Sequence, residues 1–229
     1  MIVSTAQTST TNRWLIAVAV GLIAFASVLG TITAGDNVLD WDVRLSSSIQ
    51  QWQGDFPANL HRIGDMLGDT VFTVIVVLGL ILIAGIAKSK RFAAFFVAVG
   101  LFRLVGKALK QVFDSPRPVE IGSRIRIYET FEGTGFPSGH SMTAAMFAAI
   151  LVITTWTLTR IDRARWSAAI VGLGIMVFIG WTRVWSGAHW PTDVLGGWAF
   201  GVAIVLIAWV ITTPFADSGS EPLSPQERE

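Results

Sequence analysis

The chain has 229 residues, 52% of them hydrophobic and 14% charged, with a mean hydropathy of +0.58. Soluble domains carry about 25% charged residues, so this composition excludes a water-facing single-core enzyme, a disordered chain and a disulfide scaffold. The net charge of +1 gives no basis for a nucleic-acid partner, and the absence of cysteine removes disulfides, thiolate metal sites and a cysteine nucleophile.

The 52% apolar share of 229 residues, about 119, matches six membrane helices of about 20 residues each. In chain order, a cytoplasmic N-terminus (1–13) precedes a first span over 14–33, which carries no charge. A cleaved signal peptide is the competing reading. The stretch is longer than an ordinary signal h-region and only Arg13 precedes it, which favours a retained span. Further spans are expected over 70–87, 92–113, 141–159, 166–182 and 194–213, so 14–213 forms one membrane domain, and 214–229 reads as a disordered cytoplasmic tail. A backbone in lipid must satisfy its own hydrogen bonds, so the expected fold is an all-α polytopic helical bundle.

The first connection is long for a plain loop. Leu45, Ile49, Trp52 and Phe56 recur at helical spacing, as do Leu60, Ile63 and Leu67. Two readings stand: short helices lying in the interface beside the mouth of a lipid-accessible site, or a loop packed on top of the bundle. Tryptophans 14, 41, 52, 156, 166, 181, 185 and 190 lie at or near span ends, the position of an anchoring aromatic belt. Lys88, Lys90 and Arg91 make the second connection +3, Arg160, Asp162, Arg163 and Arg165 make the fourth +2, and the first is −4. The positive-inside rule then places both termini in the cytoplasm and connections one, three and five outside.

Ionisable groups gather at three places on that outer side. The expected third span carries Arg103, Lys107, Lys110 and Asp114 along one helix face. Snorkelling to the interface explains Lys110 easily and Arg103 poorly. Arg103 and Lys107 would meet a second phosphate or a buried carboxylate. In the third connection, Ser115-Pro116-Arg117-Pro118 is followed by Phe136-Pro137-Ser138-Gly139-His140, where the chain breaks before a helix start. The backbone N–H groups near Gly139, the helix dipole and the Ser138 hydroxyl together form a phosphate cradle; a capping turn alone is the plainer alternative. The third group is Arg183, His189 and Asp193. Asp193, four residues past His189, can fold back one turn to accept a hydrogen bond from the imidazole, although His-x3-Asp alone is a weak signal.

The combination is more telling than any part. Two of the three histidines open spans on the same side as the cations. One can attack phosphorus while the other protonates the departing oxygen, with Lys110, Arg117 and Arg183 neutralising the phosphoryl oxygens. The surrounding cations oppose a divalent metal, so no metal and no cofactor are expected.

Taken in order, these residues resemble the type 2 phosphatidic acid phosphatase family, related to the vanadium haloperoxidases. Its signature reads here as Lys110-x6-Arg117-Pro118, then Pro137-Ser138-Gly139-His140, then Thr182-Arg183-x5-His189-x3-Asp193. The departure is Thr182, where the family usually has Ser; the hydroxyl is kept. The resemblance covers about Lys110 to Asp193 by motif and nearly the whole chain by six-span layout. It implies metal-independent phosphate hydrolysis through a phosphohistidine, with His189 as nucleophile, Asp193 orienting it and His140 as the acid for the leaving group. It also implies that Lys110, Arg117, Ser138, Gly139 and Arg183 bind the phosphoryl group. The expected substrate is an amphiphilic lipid phosphate in the cell membrane: undecaprenyl diphosphate, phosphatidylglycerophosphate or phosphatidic acid, with no protein partner. A lipid-phosphate transporter or scramblase on the same bundle is the non-enzymatic alternative, resting chiefly on Arg103 at mid-span depth.

Overall fold

The structure, a computed structural model, describes residues 5–35, 37–102, 105–118, 125–129 and 132–212. Its regular structure is helical throughout: α1 (Thr5–Ile32), α2 (Asp40–Ile49), α3 (Asp55–Gly68), α4 (Thr70–Ile86), α5 (Lys90–Phe102), α6 (Val105–Val112), α7 (Gly139–Leu158), α8 (Asp162–Trp185) and α9 (Pro191–Ile211). This is an all-α membrane bundle. Large apolar side chains such as Val28 on α1, Ile75 and Leu82 on α4, and Ile170 and Leu173 on α8 face outward, as they do where lipid is the solvent.

Helix α9 is the axis. It packs against α1, α5, α7 and α8, and its small residues Gly196, Gly197, Ala199, Gly201 and Ala203 are all buried. A Cβ at Gly197 would stand 2.6 Å from the Ser138 carbonyl oxygen, so glycine there lets the start of α7 lie directly on α9. Around this seam Phe95, Phe96, Val99, Phe136, Met142, Met146 and Phe200 form the core.

Among the described residues four or five of the six expected crossings are accounted for, and the sixth is not confirmed. Residues 11–32 of α1, and helices α7, α8 and α9, are each long and apolar enough to cross a membrane. A fifth crossing is counted when α3 and α4, bent by 50° at their junction, are taken together. The segment expected as a third span, 92–113, is described as two helices, of 13 and 8 residues. At 1.5 Å per residue α5 reaches only about 20 Å, short of a hydrocarbon core of about 30 Å. Arg103 and the tail over 214–229 lie outside the described residues, as does the side chain of Lys107.

The long first connection folds into the two short helices α2 and α3. Phe56, Ile63 and Met66 on α3 point outward, whereas Pro57, His61, Gly64 and Gly68 are buried against the bundle. Asp42, 1% exposed on α2, ties this region to the start of α9: its carboxylate accepts from the Thr192 N–H at 2.9 Å and the Thr192 hydroxyl at 2.6 Å.

Candidate active site

Three chain segments far apart in sequence meet at the ends of α6, α7, α8 and α9. Each junction is fixed by a backbone acceptor. The Trp190 indole N–H donates to the Pro116 carbonyl at 3.1 Å, and the Ser138 N–H donates to the Asp193 carbonyl at 3.0 Å. The Gly135 N–H donates to the Ser115 carbonyl at 2.8 Å. Pro191 starts α9 and Ser138 caps α7, so the helix starts expected at both histidines are present.

Lys110, Arg117, Gly139, His140, Arg183 and His189 line one cavity of about 270 Å³. Two expected residues stand behind that wall. Asp193 is fully buried below His189, and Ser138 is fully buried with its hydroxyl 3.0 Å from that of Ser141. The Ser138 side chain therefore shapes the turn from beneath and does not line the cavity.

His189 Nδ1 lies 3.2 Å from Asp193 Oδ2, and the same oxygen accepts the Trp190 N–H at 3.0 Å. A carboxylate there fixes the proton on Nδ1 and leaves the lone pair on Nε2. Arg117 Nη1 lies 3.4 Å from that Nε2. Arg117 is itself held by the carbonyls of Ala188 at 2.7 Å and Gly133 at 2.9 Å, and Lys110 Nζ donates to the Thr134 carbonyl at 3.2 Å. Burial first, and then the charges of Arg117, Lys110 and Arg183, hold the His189 imidazole well below the ordinary histidine range. It is a neutral base at pH 7, the form that can attack an electrophile.

His140 sits across the cavity at the first turn of α7, and its Nε2 lies 3.1 Å from Asp65 Oδ1. The same oxygen takes Arg183 Nη1 at 2.6 Å, while Arg183 Nη2 donates to Glu129 Oε2 at 3.1 Å. Glu129 Oε1 in turn pairs with His61 Nε2 at 2.9 Å. Asp65, Glu129 and His61 are absent from the expected site. The available signal was the third histidine, four residues before an aspartate, in a chain with little charge to spare.

A model of the PAP2 superfamily matches residues 91–216, more than half of the chain. The chain belongs to the PAP2 superfamily. It is 32% identical over 109 residues to the phosphatidylglycerophosphatase B of Bacillus subtilis, covering 47% of this chain and 51% of that protein. It is 28% identical over 99 residues to the undecaprenyl-diphosphatase of Sulfolobus acidocaldarius, covering 43% and 44%. The chain thus spans about half the length of the curated relatives it matches. The crystal structure of a transmembrane PAP2-type phosphatidylglycerolphosphate phosphatase from Bacillus subtilis superposes with a TM-score of 0.71 at 22% identity, covering 89% of this chain and 98% of that one. At that identity the agreement establishes the fold.

Proposed function

We propose that this PAP2 protein is a membrane lipid phosphate phosphatase that works through a phosphohistidine and needs no metal. The observation that carries the reading is the convergence of a neutral, carboxylate-oriented His189, a second histidine and three cations on one cavity. In the first step His189 Nε2 attacks phosphorus and the bond to the lipid oxygen breaks; His140 gives that oxygen its proton. In the second, His140 takes a proton from water, the resulting hydroxide attacks phosphorus, and the N–P bond breaks to release orthophosphate. Lys110, Arg117, Arg183 and the N–H groups at Gly139, on the turn set by Ser138, carry the oxyanion charge in both steps.

A lipid substrate is supported by the neighbouring wall. A second cavity, also of about 270 Å³ and almost wholly apolar, lies between α4, α5 and α7 and includes Val77, Leu78, Val99, Met146 and Phe147. Thr70 and Met142 line the polar cavity, and Thr73 and Thr143 line the apolar one. A phosphate in the first and a hydrocarbon chain in the second describe one amphiphile. Phosphatidylglycerophosphate, undecaprenyl diphosphate and phosphatidic acid all fit that description, and the names of the relatives favour the first two. The finer topology belongs to the same reading: six crossings in the cell membrane, cytoplasmic termini and an extracytoplasmic site.

The test is phosphate release by purified protein from a panel of these lipids, with and without a chelator. His189→Ala should lose activity by at least about 10³-fold, and the parent should tolerate the chelator. Normal turnover in the variant, or strict dependence on magnesium, would sink the reading.

A further inference from the structure

Both histidines of the proposed mechanism sit in one field of cations, yet they need opposite protonation states. The nucleophile must be neutral and the acid must carry a proton. Lys110 on α6, Arg117 in the third connection and Arg183 on α8 line the same cavity as His140, and each of these charges opposes an imidazolium there, while the facing His189 is neutral. Against them stands a carboxylate. Asp65, on α3, is the anion within reach of His140 among the described residues, at 3.1 Å.

We infer that Asp65 is a positioning residue of the catalytic site, holding His140 in its protonated form and locking the Arg183 guanidinium with the same oxygen. The inference rests on the phosphatase reading above. Asp65 Oδ1 accepts from His140 Nε2 and from Arg183 Nη1, so one atom sets the distance between the acid and a phosphate-binding fork. Nε2–H of a His140 imidazolium is directed at Asp65, which assigns the proton given to the departing lipid oxygen to Nδ1. Glu129 and His61 complete the frame behind Arg183. The environments separate the histidines as well: the His189 side chain is 6% exposed and that of His140 22%. Burial keeps the first uncharged, while the second stands closer to solvent and against the Asp65 carboxylate.

The backbone of α3 is built for this approach. A Cβ at Gly64 would stand 2.5 Å from Thr182 Oγ1, and one at Gly68 would overlap the His140 ring. The two glycines, four residues apart on one face, let the helix lie close enough for a short aspartate to span the gap.

The experiment compares the parent with Asp65→Asn, Asp65→Glu, His140→Ala and Asp65→Asn/His140→Ala on a lipid monophosphate across pH, with orthophosphate as product inhibitor. Asp65→Asn should lower kcat about 10- to 100-fold, part of the 10²–10⁴ that a general acid contributes. The basic limb of its pH profile should move toward acid by about one unit or more. KM and orthophosphate inhibition should not weaken, because Arg183 keeps its charge and loses a competing anion. Asp65→Glu should restore part of the rate, and the double variant should be no slower than His140→Ala alone. A parent-like profile in Asp65→Asn overturns the inference. So does a uniform loss at all pH with weaker phosphate binding and a lower thermal midpoint, which marks a purely structural residue. Activity remaining in His189→Ala defeats the phosphatase reading instead, whatever Asp65 does.

Discussion

At the residue scale, the site turns on how His189 is kept neutral. Burial is the largest cause, and Arg117 and Lys110 follow. A histidine whose pKa lies below its ordinary value of about 6.5 stays unprotonated as pH falls through that value. The acid limb of kcat/KM should therefore lie below the ordinary histidine range. Removing a cation removes part of the cause, so Lys110→Gln should move that limb toward neutral pH while lowering kcat/KM overall. A pH series of initial rates on parent and variant checks both. An acid limb that stays in place would mean that burial alone sets the state of His189. Asp193 acts on the same nitrogen pair from beneath. Asp193→Asn keeps the shape of the buried contact but removes the charge that fixes Nδ1–H, and kcat should fall by about 10²–10⁴.

At the element scale, the decisive piece is α3, and it shows where sequence reading reached and where it stopped. Lys110, Arg117, His140, Arg183, His189 and Asp193 were legible because each motif is local and the motifs share one expected membrane side. Asp65 was not legible. Its partners lie 75 and 118 positions away, on α7 and α8, and no periodicity reports such a meeting. The pattern of Leu60, Ile63 and Leu67 drew attention to the apolar side of the helix, while the residues that matter, His61, Gly64, Asp65 and Gly68, lie on another. The third expected span is not confirmed for a related reason: hydropathy runs on through 92–113, but the described helical pieces α5 and α6 are each too short to cross. Close packing at Gly68 gives a direct test. Gly68→Ala places a methyl against the His140 ring and should lower phosphate release at least about tenfold, with a stability cost of about 1–3 kcal/mol from overpacking. Gly79→Ala, on α4 where the added carbon meets open space beyond its own helix among the described residues, should keep the parent rate. Equal effects of the two would show that α3 is not seated on the acid.

At the scale of the whole molecule, the charges divide the bundle into two ends. Helix α9 begins at the site with Pro191 and ends at Ile211, and near that far end the Arg91 guanidinium lies 3.8 Å from the centre of the Trp209 ring. Trp209 lies 18 positions after Pro191, about 27 Å along a helix, close to the thickness of a hydrocarbon core. Lys88, Lys90 and Arg91 thus sit at the end opposite the catalytic cavity, and so does Arg165, whose side chain donates to the Thr159 carbonyl just past α7 at 3.0 Å. Basic residues on short connections stay on the cytoplasmic side. On that rule the proposed orientation puts the cavity, α2 and α3 on the outer face. Because the chain has no cysteine, single introduced cysteines report sidedness without background. Ser47→Cys on the exposed side of α2 should react with a membrane-impermeant thiol reagent applied to intact cells. Ser89→Cys, between α4 and α5, should react only after the membrane is opened. Labelling of both from the same side would break the link between the basic connections and orientation, and a Ser47→Cys that reacts only in opened cells would place the site on the cytoplasmic face.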